Sequence, residues 1–468
     1  MAERLTDLTR LTIAEAGRRL RAGEVTSAEL TEACLSQIDA VEPVLNAFIT
    51  VLADQALADA RRADEELRAG RDRGPLHGIP VAVKDLCQTK GVRTTAGSDI
   101  LRDWLPEEDA TVVRRLRDGG AVLLGKLNLH EFAYGVTSAN RWYGPVANPW
   151  DTQRHPGGSS GGSGAAVAAF ECFMAVGTDT GGSVRIPAAL CGVVGLMPTY
   201  GLVSRAGVVP LAWSLDHVGP LARTVEDAAL ALNVMAGYDP ADPTSADVPE
   251  FDAAAELGRP IDGVRIGVAW EQFERVTPDV RRACEEAVRT VAGLGARVTE
   301  VTLPYFAEMA TTRVLVAEAA AYHVRWLREM PERYSDDLRA LFLRGLAVTA
   351  VEYLADLRLR RHFTERIREL MREVDVIMLP TCPMVACRFE EIDATVYRYA
   401  SLTSPWDHTG QPVISVPCGF GDSGMPVGIS FAGRPFEEAL LCRVAHAYEQ
   451  ARGPLPEPPA ARGGDSSP

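Results

Sequence analysis

Between positions 74 and 225 glycine and proline punctuate the chain so densely that the apolar residues are left in short runs, and this limits the possible fold more than any other feature. GIPVAVKD at 78–85 is one such run, bounded by Gly and Pro, and AVLLGKL at 121–127 and FMAVGTD at 173–179 look like it. Runs this short read as buried strands. Helix-like stretches such as 109–118 lie between them. Strands alternating with helices predict an α/β chain, a central mixed and twisted β-sheet covered by helices on both faces. Glycine density beside charged residues also marks backbone brought close to something.

The flanks are organised differently. Thr12 with Glu15, and Thr26 with Glu29, are capping boxes that open apolar-periodic runs, and an Ala-rich stretch from Ala53 to Leu67 adds a third helix. Residues 1–70 are therefore expected to be an all-helical N-terminal segment of the same domain. The rest of that domain, 71–453, has its core at 74–225. VRIGVAW at 264–270, a Pro278-initiated helix and ARVTEVTL at 296–303 form a strand–helix–strand unit. Residues 306–372 are helical again, a candidate cap, and strands follow near 374, 413 and 427. The Pro/Gly/Ser-rich tail, 454–468, is expected to be disordered.

Composition excludes several function classes. Against 48 basic residues stand 63 acidic ones, a net charge of −15, so the clustered positive charge that a phosphate backbone requires is missing and direct nucleic-acid binding is not expected. No stretch approaches the ~18 uncharged apolar residues of a membrane span, and the charged first residues carry no secretory h-region; a cytoplasmic protein is expected. The nine cysteines are scattered, without a CxxC pair, and Cys382 and Cys387 have no partners to complete a zinc site, so no metal is expected. GAVLLGKL at 120–127 fits GxxxxGK but has Leu127 where a phosphate loop needs Ser or Thr, and its AVLL is strand-like. GGSSG at 157–161 fits GxSxG, but turn-like NPWDTQRHPG precedes it where a nucleophile elbow needs a strand.

Three features remain that together can do chemistry: strand-borne Lys84, the loop PGGSSGGSG at 156–164, and TDTGGSVR at 178–185. A serine needs a base to become a nucleophile, and a lysine serves when burial populates its neutral amine. Consecutive N–H groups in a glycine-rich turn can converge on one oxygen. TDTGG followed by Ser183 supplies both a nucleophile and such a hole.

In these residues the chain resembles the amidase signature family. Lys84, Ser159 and Ser183 match that family's catalytic lysine, bridging serine with a cis peptide, and nucleophilic serine, at separations of 75 and 24 residues. The likeness is densest from 74 to 225 and extends through LPTCP at 379–383 and ISVPCGF at 414–420. It implies the amidase signature fold and attack by Ser183 on an amide carbonyl. Ser159 then relays the proton to neutral Lys84, and the backbone N–H groups of Thr180, Gly181, Gly182 and Ser183 hold the oxyanion. Ser160, Asp179 and Arg185 resemble loop-orienting positions. The histidines, His130 and His217 among them, are taken as structural or pocket residues. No cofactor is implied.

Within the family, CGVVGLMPTYGLVSRAGVVPLAWSLDHVGP at 191–220 is similar to the glutaminase component of glutamine-hydrolysing tRNA amidotransferases and to free-standing bacterial amidases. Two departures disfavour the glutaminase. Ile186 stands where that component has Gln, and Ala400 stands where it has an acid for the ammonium of glutamine. A less polar acyl group is expected, with Tyr134, Trp213, Leu215 and Trp406 as candidate pocket walls. The expected substrate is a small-molecule amide, with aryl esters and carbamates as further candidates. The acting species would be a monomer or homodimer without protein partner or membrane. The alternatives are a transamidation subunit that needs partners and, from another class, a silent binding or scaffold protein. An intact set of Lys84, Ser159 and Ser183 argues against the last.

Overall fold

The computed structural model describes residues 7–462. The strands are β1 (Phe48–Val51), β2 (Pro80–Lys84), β3 (Val122–Leu127), β4 (Ala139–Asn140), β5 (Gly144–Pro145), β6 (Met174–Asp179), β7 (Val194–Met197), β8 (His217–Ala222), β9 (Arg265–Val268), β10 (Arg297–Glu300), β11 (Val376–Pro380), β12 (Val413–Phe420) and β13 (Pro426–Ala432). All but β4 and β5 join one sheet in the order β1-β3-β2-β6-β8-β7-β12-β13-β11-β9-β10. β2 runs parallel to β3 and β6, and β9 is parallel to β10 and β11; the other pairings are antiparallel. The sheet is thus mixed. Successive strand side chains point to opposite faces, yet every residue of β2, β3, β6, β8 and β13 is buried, so helices cover both faces. At one end lies the exposed strand β10.

The apolar runs read from sequence become β2, β3 and β6, and the unit at 264–303 becomes β9, the helix Pro278–Gly293 with proline in its first turn, and β10. AVLLGKL is strand, and its Lys126 points inward. The Lys126 Nζ donates to Cys87 O at 2.6 Å and Thr94 Oγ1 at 2.8 Å and lies 3.2 Å from Asp85 Oδ1.

Two expectations need correction, and two strands have no signal in the sequence reading. The N-terminal segment is not all helix, because β1 interrupts it between the helices Ser27–Leu45 and Ala53–Arg68 and pairs with β3. Strands β7 and β8 are disguised by Gly195, Gly219 and Pro220. These breakers mark close packing: a Cβ on Gly219 would sit 2.1 Å from Leu196 O, so the β7–β8 contact admits no side chain there. Residues 454–462 are not loose either. Arg10 pairs with Glu457, Gln37 Nε2 donates to Ala461 O at 2.9 Å, and Ala461 is buried. Residues 463–468 lie outside the described residues. Of the two N-terminal boxes, Thr26 and Glu29 cap each other reciprocally. At Thr12 only the hydroxyl half forms, since Glu15 turns to Arg19.

Among the described residues no helix is long and apolar enough to cross a membrane, and no group of three or more His, Cys, Asp or Glu is arranged to hold a metal ion.

Candidate active site

Lys84 ends β2 with its side chain wholly buried. Its Nζ is 2.7 Å from Ser159 Oγ, 2.8 Å from Ser160 Oγ and 2.8 Å from Thr178 Oγ1, three hydroxyls and no carboxylate. The acid next to it in sequence, Asp85, is turned to Lys126. A buried ammonium without a counter-ion is costly, and burial pushes the Lys84 pKa down to about 7 against the milder upward pull of Cys87, Asp179 and Asp216. Near neutral pH the amine is therefore populated.

The loop bearing Ser159 and Ser160 is fastened on every side. The Gly158–Ser159 peptide is cis. Ser159 O accepts from His130 N at 3.0 Å and from Ser138 Oγ at 3.1 Å, and Ser160 N donates to Ser183 O at 3.3 Å, which ties the two serine loops together. The helix Gly161–Ala168 follows, with Ser163 Oγ donating to Val176 O.

The two serines differ in what their protons do. Ser160 Oγ accepts from Thr178 N at 3.3 Å and donates to Thr178 O at 3.2 Å, so its proton is spent. Ser159 Oγ has no partner but Lys84 among the described residues.

Ser183 sits on the turn between β6 and the helix Arg185–Cys191, and a buried ionic cluster shapes that turn. Asp179 accepts from the N–H groups of Gly182, Val184 and Arg185 and from Arg185 Nε at 2.9 Å and Nη2 at 3.0 Å. The same guanidinium donates to Asp407 Oδ2 at 2.7 Å and Thr403 O at 2.8 Å. Thr403 Oγ1 in turn donates to Gly181 O at 2.7 Å. Burial alone would raise the Asp179 pKa, but the charge and hydrogen bonds of Arg185 outweigh it and hold this carboxyl far below the usual range. Burial and the nearby Asp179 push the Asp407 carboxyl the other way, above its usual range, against the pull of Arg185. At Gly182 φ is +127°, and a Cβ there would lie 2.1 Å from Thr403 Oγ1.

Of the four N–H groups expected to face an oxyanion, that of Gly182 is engaged by Asp179. Those of Thr180, Gly181 and Ser183 have no acceptor among the described residues. Thr180 is steadied by its Oγ1 donating to Asp216 Oδ1 at 2.6 Å.

Ser183 opens on a cavity of about 390 Å³, also lined by Thr180, Gly181, Tyr134, Leu341 and Ala400. Tyr134 is thus a wall, its hydroxyl buried without a partner. The other three predicted walls lie elsewhere. Trp213 is 60% exposed and lines a neighbouring cavity of about 290 Å³ that reaches Thr178, Thr180 and Asp216. Leu215 is buried with Ala212 and Val314. Trp406 is core, its ring 5.5 Å from that of Phe306. Ile186 also packs in the interior, with Val136 and Tyr399.

Burial pushes the pKa values of His130 and His217 down to about 4, so both are neutral at pH 7. The His130 ring faces Thr137 Oγ1 at 3.4 Å, and His217 lies 3.7 Å from Asp407; neither imidazole bonds a serine hydroxyl. Thr178, Asp216 and Asp407 emerge as further supports. The first two stand inside TDTGGSVR and SLDHVGP, but nothing in the spacing separates them from ordinary turn residues.

The sequence model of one family, described as Amidase, matches residues 29–442. An amidase of Pseudomonas putida is 45% identical over 461 residues, covering 96% of this chain and 97% of that protein. The A-type subunit of the glutamyl-tRNA(Gln) amidotransferase of Carboxydothermus hydrogenoformans is 42% identical over 474 residues, covering 95% of this chain and 98% of that protein. In three dimensions the chain is similar to the native peptide amidase of Stenotrophomonas maltophilia, with a TM-score of 0.85 and 34% identity over 96% of this chain and 98% of that one.

Proposed function

The chain belongs to the amidase family, and we propose that it is a free-standing amide hydrolase that works through an acyl-enzyme on Ser183, with Ser159 and Lys84 as its proton relay. The observation that carries this reading is the environment of Lys84: wholly buried, without a carboxylate, its Nζ among three hydroxyls. A neutral amine has two N–H donors and one lone pair, so one of the three hydroxyls must donate to it. Ser160 has already given its proton to Thr178 O, and Ser159 is on the loop tied to Ser183. When Ser159 O–H points to Lys84, its own lone pair is free to accept from Ser183.

The reaction follows from that polarity. As Ser183 Oγ attacks the carbonyl carbon, its proton passes to Ser159 and the Ser159 proton to Lys84. The tetrahedral oxygen takes the N–H groups of Thr180, Gly181 and Ser183, while Gly182 braces the turn through Asp179. The relay then runs backwards, protonating the leaving nitrogen as the C–N bond breaks, and water repeats the cycle on the acyl-enzyme. Aryl esters and carbamates present the same carbonyl and are proposed as further substrates.

Because the amine must be neutral to take the proton, kcat/KM should rise about tenfold per pH unit below about 7 and level off above it. Rates measured from pH 5 to 9 with acylation limiting provide the check, and a flat profile would exclude a lysine base.

Ala400 lines the cavity and offers only a methyl group. An acyl group bearing an ammonium, as in glutamine, finds no counter-charge there. The purified chain alone should therefore hydrolyse an aryl or apolar amide with kcat/KM at least roughly tenfold above glutamine, a transition-state preference of about 1.4 kcal/mol. A panel of anilides, primary amides, carbamates and p-nitrophenyl esters beside glutamine tests this. The likeness to a component of a tRNA amidotransferase supports a second reading. Glutamine hydrolysis that appears only with added partner subunits would establish that one instead.

A further inference from the structure

The cavity over Ser183 contains one charged side chain that the reaction does not use. Arg344 lies near the end of the helix Asp336–Leu346 and is exposed, so it stands at the mouth, while Ser183 is at the buried end. No carboxylate lines the cavity among the described residues. Among the described residues the Arg344 guanidinium has no hydrogen bond or ion pair, although Asp337 is two turns earlier on the same helix.

Two buried polar groups share the wall without being satisfied. The Tyr134 hydroxyl and His408 Nδ1 both lack a partner among the described residues. The His408 Nε2 is 3.1 Å from Thr312 Oγ1, and burial keeps its ring neutral. Burial likewise holds Tyr134 and Tyr397 as phenols; the Arg344 charge pulls the other way on both, while at Tyr397 the Asp337 carboxylate, which does not line the cavity, adds to the effect of burial. Two hydroxyl donors beside an unpaired guanidinium, in a lining otherwise mostly apolar, are a receptor for an anion.

Resting on the amidase reading, we propose that the substrate is an amide carrying a carboxylate, which Arg344 binds at the cavity mouth with Tyr134 as a second donor, separated from the scissile bond by an apolar segment. Ala400 provides nothing for a cation, so the selected molecule is an anion and not a zwitterion. This sets the specificity of the site and leaves the chemistry at Ser183 unchanged.

Matched anilides test it, read by aniline release. Glutaric acid monoanilide is compared with hexananilide, which places the anion on the acyl side, and 4-acetamidobenzoate with 4-methylacetanilide, which places it on the leaving amine. In one of the two pairs the wild type should favour the carboxylate by about tenfold in kcat/KM, mainly through KM, and added salt should weaken the preference because Arg344 is exposed. Arg344→Gln should bring the ratio to within about threefold of unity. Glutarate should also slow fluorophosphonate labelling of Ser183 in the wild type and not in R344Q. A wild type with no preference in either pair, or an R344Q variant that keeps it, would overturn the anion site. Turnover of the neutral anilides that is lost in Ser183→Ala would in that case leave the amidase reading standing, whereas failure to turn over any anilide together with failure of Ser183 to label would end both.

Discussion

Ser183→Ala is expected to lower kcat/KM by about 10⁴- to 10⁶-fold, the scale on which removal of a nucleophile acts when the rest of the machinery remains. The substitution removes one oxygen and leaves the surrounding structure intact. Ser160 N still donates to the carbonyl of residue 183, and Asp179 still holds the turn through Gly182, Val184 and Arg185. The thermal midpoint should therefore stay close to that of the wild type, which separates lost chemistry from lost fold. A fluorophosphonate should label the wild type at Ser183 and fail to label the variant. Retention of more than about a tenth of the activity would be incompatible with an acyl-enzyme on this residue. An adduct on Ser159 or Ser160 in the labelled peptide would move the nucleophile to the glycine/serine loop, where the spent proton of Ser160 makes Ser159 the stronger contender.

The parts of the molecule legible in the sequence are those where one physical requirement dominates a short window. β2, β3 and β6 are buried on both faces, so their apolar runs are continuous and stand out between turn residues. That Lys84 and the two serine loops come together was legible as well, because glycine-rich turns beside an apolar strand ending in lysine allow backbone and hydroxyls to approach closely. β7 and β8 were hidden because close packing demanded glycine where β-propensity would demand a side chain. The pocket walls were illegible for another reason. Trp406 and Tyr134 are equally aromatic, and only the path of the helices decides that one packs on Phe306 while the other faces Ser183. Arg344 is one of many arginines on amphipathic helices, and its lack of a partner is a property of three dimensions alone. The duty of Gly182 was likewise invisible: four N–H groups in a row look equivalent until the Asp179 carboxylate takes one of them.

Lys84→Met should be as inactive as the serine variant to within about tenfold, yet more stable than the wild type. Methionine fills much of the volume that the lysine stem occupies but has no lone pair basic enough to take the Ser159 proton, so acylation loses its base. The stability gain has its own pH dependence. The folded protein lowers the Lys84 pKa from 10.5 to about 7, so between those values the unfolded chain binds a proton that the folded chain does not, and wild-type stability rises with pH across the window. Above pH 10.5 the cost of keeping an amine in this site uncharged disappears, and below about 7 it is fully developed, at most about 5 kcal/mol at 1.4 kcal/mol per pKa unit. Part of that returns to the wild type because its amine satisfies Ser160 and Thr178, whose hydroxyls methionine leaves without that partner. Chemical denaturation of both proteins at pH 7 and pH 10 should thus show the variant ahead at neutral pH, with the gap narrowing as pH rises. A gap that is constant or widens with pH would mean that Lys84 is an ordinary ammonium in the folded protein, and the relay would lose its base along with the explanation of its pH profile.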